Sequence, residues 1–187
     1  MSETVEISLE FTPNPNSLKY VVNRVLLESG AASFSSIESA TPSPLAVKLL
    51  NLPGLVGVML GRNFITITKS DASDWDKIHQ ASSDLIKAHL ENNETVLEKT
   101  HSNAPANHSS ATGEIETKIK EILDAEIRPA VAMDGGDITF DKYEDGTVYL
   151  FLQGSCSGCP SSTMTLKMGI ESRLKEMIPE IREVVAI

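Results

Sequence analysis

The chain has 187 residues, 41% hydrophobic and 22% charged, with a net charge of −10 and two cysteines. That size admits one ordinary domain or two small ones, and no apolar run approaches the roughly 20 residues that span a bilayer, so no membrane role is expected. Residues 113–187 carry 8 Lys and Arg against 14 Asp and Glu, net −6, which disfavours nucleic acid as a partner because phosphate binding relies on basic side chains.

Val5, Ile7, Leu9 and Phe11 alternate as in a strand, the Thr12–Asn16 stretch is dense in turn residues, and Leu18, Tyr20 and Val22 resume the alternation, giving a β-hairpin. Ser43-Pro44 reads as the N-cap and first residue of a short helix toward Leu50. Two strands, Leu55–Leu60 and Phe64–Thr68, flank Gly61-Arg62-Asn63. From Asp74 a helix places Trp75, Ile78, Leu85, Ile86 and Leu90 on one face. His79 and His89 are ten residues apart on it, about 280° around the axis, and are read as surface or core-edge residues rather than joint metal ligands.

Residues 94–112 are expected to form a flexible linker, small and polar from Ser102 to Gly113, with His101 and His108 as solvated linker residues. The expected domains are therefore 1–93 and 113–187. In the second, Ile115, Ile119, Ile122, Leu123 and Ile127 have helical spacing until Pro129 interrupts it. Asp134-Gly135-Gly136-Asp137 is a sharp turn into a strand; its carboxylates are read as turn residues before acid–base or cation chemistry. Arg128 suits either a salt bridge or an interaction role. Asp145-Gly146 closes a hairpin, and Val148–Leu152, apolar on both faces, is expected to be central. A helix from Pro160 with Leu166, Ile170, Leu174, Met177 and Ile178 inward, then a strand at Val184–Ile187, completes an α-β-β-α-β order. The fold class is α+β in two small domains, the first a mixed α/β unit.

Chemistry concentrates in Gly154-Ser155-Cys156-Ser157-Gly158-Cys159-Pro160. With Pro160 at the first helical position, Cys159 becomes the N-cap, where backbone N–H groups and the helix dipole favour a thiolate. Gly154 and Gly158 permit positive φ and leave the sulfurs open. The spacing lets Cys156 and Cys159 bind one metal or adjacent corners of a cluster. Closed zinc and cluster sites take four ligands, and one chain brings two, so a two-fold homodimer is required to complete either. A thioredoxin-like dithiol oxidoreductase and a dimer-bridging zinc protein remain as alternatives. Only 28 residues follow Cys159, too few for the further elements of a thioredoxin fold. No Ser-His-Asp, Walker A or GxGxxG pattern occurs, and catalytic residues are not assigned.

The stretches Asp134–Ile138, Gly154–Thr163, Thr165–Glu171 and Ile178-Pro179-Glu180 resemble the NifU-like (Nfu-type) iron–sulfur cluster carrier domain. Ser155 stands where Ala is commoner in that family. Thr12–Lys19, Ser43–Ala46, Gly61–Lys69 and Trp75 resemble the companion Nfu N-terminal domain. The resemblance implies a carrier or scaffold, not an enzyme. It implies a [4Fe–4S] cluster shared by Cys156 and Cys159 of two subunits, an upstream assembly scaffold as a further partner, and transfer to apo iron–sulfur proteins. In the family the N-terminal domain is thought to serve protein recognition. The first residues carry no presequence pattern, so the expected location is the cytoplasm of a bacterial-type member, with a mature mitochondrial form as the other possibility.

Overall fold

A computed structural model describes residues 4–98, 113–157 and 160–187. The chain divides into two compact units, Met1–Asn103 and Ala104–Ile187.

The first unit is an antiparallel sheet covered by helices. Strands β1 (Ile7–Phe11), β2 (Ser17–Val22), β3 (Ala32–Phe34), β4 (Leu55–Leu60) and β5 (Phe64–Lys69) lie in the order β1-β2-β5-β4-β3. Helices α1 (Pro44–Leu50) and α2 (Trp75–Glu91) add to the core. Tyr20, Leu45, Leu49, Ile65, Ile67 and Ile86 are fully buried there, each apolar side chain contributing about 1.5–3 kcal/mol of burial. Ser43 caps α1 as expected, its Oγ accepting from Ala46 N–H at 3.1 Å.

Two features depart from the expected picture. Leu9 and Phe11 pair with the buried Tyr20 and Leu18, yet are exposed, Phe11 by 86%, because β1 is the edge strand. The short β3 has no sequence signal beyond Ala32 and Phe34, which are buried.

Past Glu94, where the linker is expected to start, the chain still touches the first unit. Val96 and Leu97 pack on the first core, Ser43 Oγ donates to Val96 O, and Glu98 N–H donates to Pro42 O at 2.8 Å. His89, read as a surface or core-edge residue, is 1% exposed, with Nε2 3.0 Å from Thr95 O. His79 lies beside the Tyr20 ring. Residues 99–112, with His101 and His108, lie outside the described residues.

The second unit has the expected α-β-β-α-β order. Its first helical run does not stop before Pro129: α3 (Glu114–Ile122) passes through a π-type turn, Leu123–Ile127, into α4 (Arg128–Met133). Arg128 N–H reaches back to Leu123 O, a five-residue bond. This widened turn accommodates the proline ring and its missing N–H without ending the run. Strands β6 (Gly136–Glu144) and β7 (Thr147–Gly154) form a hairpin. Its turn residues Asp145 and Gly146 both have positive φ, 49° and 85°, as a type I′ turn requires. Helix α5 (Pro160–Met177) then crosses over to β8 (Glu183–Ala186), which pairs parallel to β7. Strand β7 is central, as its apolar composition predicts. Ile119, Ile138, Val148, Leu150, Ile170 and Leu174 fill the core, whereas Met177, expected inward, is exposed at the last turn of α5.

Candidate functional site

The cysteine loop leaves the end of β7 where that strand meets the start of β6: Gly136 and Gly154 are ladder partners. Gly135, at φ 78°, turns the chain from α4 into β6, and Gly154, at φ 65°, turns it out of β7. Both angles lie in the left-handed region that favours glycine. The two turns are stitched together. Ser155 N–H donates to Gly135 O at 3.2 Å, and Ser155 Oγ donates to Asp134 O. Ser157 folds back, its N–H and Oγ both donating to Gly154 O, at 3.2 and 2.9 Å. From the far side, Thr163 Oγ1 donates to Cys156 O at 3.0 Å and ties the loop to the first turn of α5.

Cys156 is 6% exposed and belongs to the core of the second unit. Its sulfur rests against the backbone of Gly136. A Cβ placed there would overlap Cys156 Sγ and approach Gln153 O to 3.0 Å. Burial pushes the Cys156 thiol up to about 11; a hydrogen bond with Ser155 opposes this, and the nearby charges of Asp134 and Asp137 add to it. Cys156 thus sits inside the fold, where burial favours the thiol over the thiolate. Cys159 lies outside the described residues, so the N-cap expectation that concerns it does too.

Asp137 is buried. Arg128 clamps it with two bonds, Nε to Oδ1 at 2.9 Å and Nη2 to Oδ2 at 3.0 Å, and reaches Asp124 at 2.9 Å with Nη1. Arg128 thus makes the salt bridge that one of its two sequence readings expects. The pairs raise its already high proton affinity, the Asp137 hydrogen bonds first. The clamp fixes β6 to the π-turn helix at the point from which Gly136 receives Cys156.

Gly136, Thr163 and Ser155 are the positioning residues that sequence reasoning passed over. The turn explains Gly135; Gly136 answers to a sulfur 20 residues away, which no local pattern reports. Among the described residues no group of three or more His, Cys, Asp or Glu is arranged to hold a metal ion. Soft-metal donors at this loop reduce to the two thiols of each chain.

Two family models match the chain. Residues 7–93 match the family model described as scaffold protein Nfu/NifU N terminal, and residues 119–185 match the NifU-like domain. The mitochondrial NFU1 iron–sulfur cluster scaffold homolog of Homo sapiens is 40% identical over 183 residues, covering 95% of this chain and 70% of that protein. The Drosophila willistoni homolog of the same name is 40% identical over 182 residues, 97% of this chain and 63% of its own length. NifU-like protein 4, mitochondrial, of Arabidopsis thaliana is 37% identical over 185 residues, 97% of this chain and 65% of its own length. The chain thus spans under two thirds of the fly and plant relatives.

The expected bacterial-type cytoplasmic location is overturned by these relatives, which are named as mitochondrial proteins. The reading from the first few residues fails because composition at one end of this sequence carries no weight against resemblance along nearly all of it. Two family models in tandem, and 40% identity over nearly the whole chain to a protein of which it covers 70%, make the chain a member of the NFU1 iron–sulfur cluster scaffold family.

Proposed function

We propose that this chain is an iron–sulfur cluster scaffold and carrier in which Cys156 and Cys159 of two copies hold one [4Fe–4S] cluster. The cluster comes from an upstream assembly scaffold and passes to apo iron–sulfur proteins. The observation that carries the reading is the two-thiol loop itself, stitched to the turn ahead of β6 and supplying half of a four-thiolate set. The cluster is cargo, and the protein is a carrier rather than a catalyst.

Each part of the loop has a task. Ser155, Ser157 and Thr163 tether the backbone, so that loading rearranges side chains more than the chain itself. Cys156 gives up its proton and turns out from Gly136 to meet iron; on release it takes up a proton from the incoming acceptor thiol and returns to the core. Thiol replaces thiol at iron, so no net oxidation or reduction is needed. Burial of the protonated sulfur favours the empty state, and a carrier that must give up its load is served by a comfortable empty form. The first unit contains no cysteine and supplies recognition rather than iron ligation.

The test is transfer. Protein reconstituted anaerobically with iron and sulfide should restore activity to an apo [4Fe–4S] enzyme under chelator challenge, and Cys156→Ser or Cys159→Ser protein should not. The dithiol alternative predicts that the metal-free protein reduces insulin disulfides, and the zinc alternative predicts one zinc per two chains with no iron requirement. Either result without cluster transfer would replace the reading.

A further inference from the structure

Helix α5, which follows the cysteine loop, turns an uncharged face to solvent. Between Thr163 and Arg173 its exposed residues are Met164, Thr165, Met168, Gly169 and Ser172, and these fall within an arc of about 140°. Met164 is 65% exposed and Met168 64%. The charged residues of the same stretch lie to the sides and are tied down: Lys167 to Glu183, Glu171 to Lys175, and Arg173 to Glu126 and Glu176. Ser172 Oγ donates to Met168 O at 2.8 Å, so its hydroxyl is satisfied within the helix. In a chain of net charge −10, such a face stands apart.

Gly169 sharpens the point. Glycine inside a helix destabilises it relative to alanine, so an interior glycine normally answers to a neighbour that needs the space. Here a Cβ would meet nothing within 4 Å. Among the described residues, none needs the space that the missing side chain leaves.

We propose that this face of α5 seats the same face of a second copy, with Gly169 as the point of closest approach and Met164 and Met168 as the adaptable filling around it. The proposal rests on the reading that one cluster is shared by two chains. Because the thiols end at the start of α5, a second copy must come close there, and the uncharged face begins within a turn of that point. Two chains of net −10 repel each other, so they meet best where neither presents charge. A two-fold axis sets the face against itself, which a neutral surface of methionine and glycine tolerates and a charged one does not. Methionine's flexible thioether fills an irregular gap between two such helices.

The experiment uses the full chain, reconstituted anaerobically with iron and sulfide, and compares wild type with Gly169→Gln and Met168→Glu. Solution mass is read by light scattering, iron per chain by analysis, and melting by circular dichroism. Gly169→Gln fills the gap with a better helix former, and its metal-free form is expected to melt at or above the wild-type temperature. Both variants are expected to lose at least about tenfold in cluster-loaded dimer at equal chain concentration, through a clash in one and repelling charges in the other. If both variants load iron and double in mass as wild type does, the face is not the interface, while the shared-cluster reading stands. If they load and dimerise but deliver poorly to an apo acceptor, the face belongs to the acceptor and the proposal is overturned. A wild-type protein that takes up no cluster removes the reading and the proposal together.

Discussion

Gly136 lies directly against the sulfur of Cys156, on the neighbouring strand and 20 residues earlier in the chain, leaving no room for a Cβ between them. The proposed ligand thus has a defined place against β6. Replacing Gly136 by alanine should expel the sulfur or strain the β6–β7 ladder, at about 1–3 kcal/mol of stability for an overpacked core. In a Cys159→Ser background, where Cys156 is the one remaining thiol, its reaction with an aromatic disulfide should be slow and should speed up in Gly136→Ala protein. Equal rates with and without the substitution would mean that Gly136 does not hold the sulfur in.

The Arg128–Asp137 clamp should matter to the second unit rather than the first. Asp137→Ala leaves a half-buried guanidinium with Asp124 alone and removes two charge-assisted bonds. A loss of about 2 kcal/mol is expected. Amide exchange at Leu150 in the second core should quicken accordingly, while exchange at Ile67 in the first should not change. Unaltered protection at Leu150 would show the clamp to be energetically idle.

His89 makes the stability of the first unit depend on pH. Its ring faces Thr95 O on one side; on the other lie Lys48 Nζ of α1 at 3.4 Å and Glu94 Oε2 at 3.6 Å. Burial holds its pKa below the ordinary histidine value, opposed by the Thr95 hydrogen bond and Glu94 and assisted by Lys48. The folded state therefore resists a proton that the unfolded chain accepts. The contribution is complete above the unfolded value near 6.5 and is lost as pH falls toward the folded one. The urea midpoint followed by Trp75, the sole tryptophan, should drop between pH 7.5 and 5.5. His89→Gln, which can still donate to Thr95 O, should flatten that slope. A wild-type midpoint that is constant or rises on acidification contradicts this assignment.

Where periodicity and turn chemistry act locally, the sequence was a sufficient guide. The hairpins, the Ser43 cap, the central place of Val148–Leu152 and the α-β-β-α-β order all rest on contacts between near neighbours or on one buried face. The structure departs where distant packing decides. Phe11 looks like core until β1 proves to be an edge, and His89, read as surface or core edge, is buried once Glu94–Glu98 folds back over it. Pro129 looks like a helix stop, but a π-type turn absorbs it. At the site, Cys156 and its spacing to Cys159 were plain, but the inward sulfur was not, because Gly136 and Ser155 act across strands.

The central claim is that each chain brings too few thiols for a cluster and that two chains share one. Iron and acid-labile sulfide, measured per chain on anaerobically reconstituted protein at its light-scattering mass, test this most directly. The account predicts about four irons and four sulfides per particle of twice the chain mass, both lost in Cys156→Ser and Cys159→Ser protein. A tightly held cluster on a single chain, or one that survives loss of either cysteine, would contradict it.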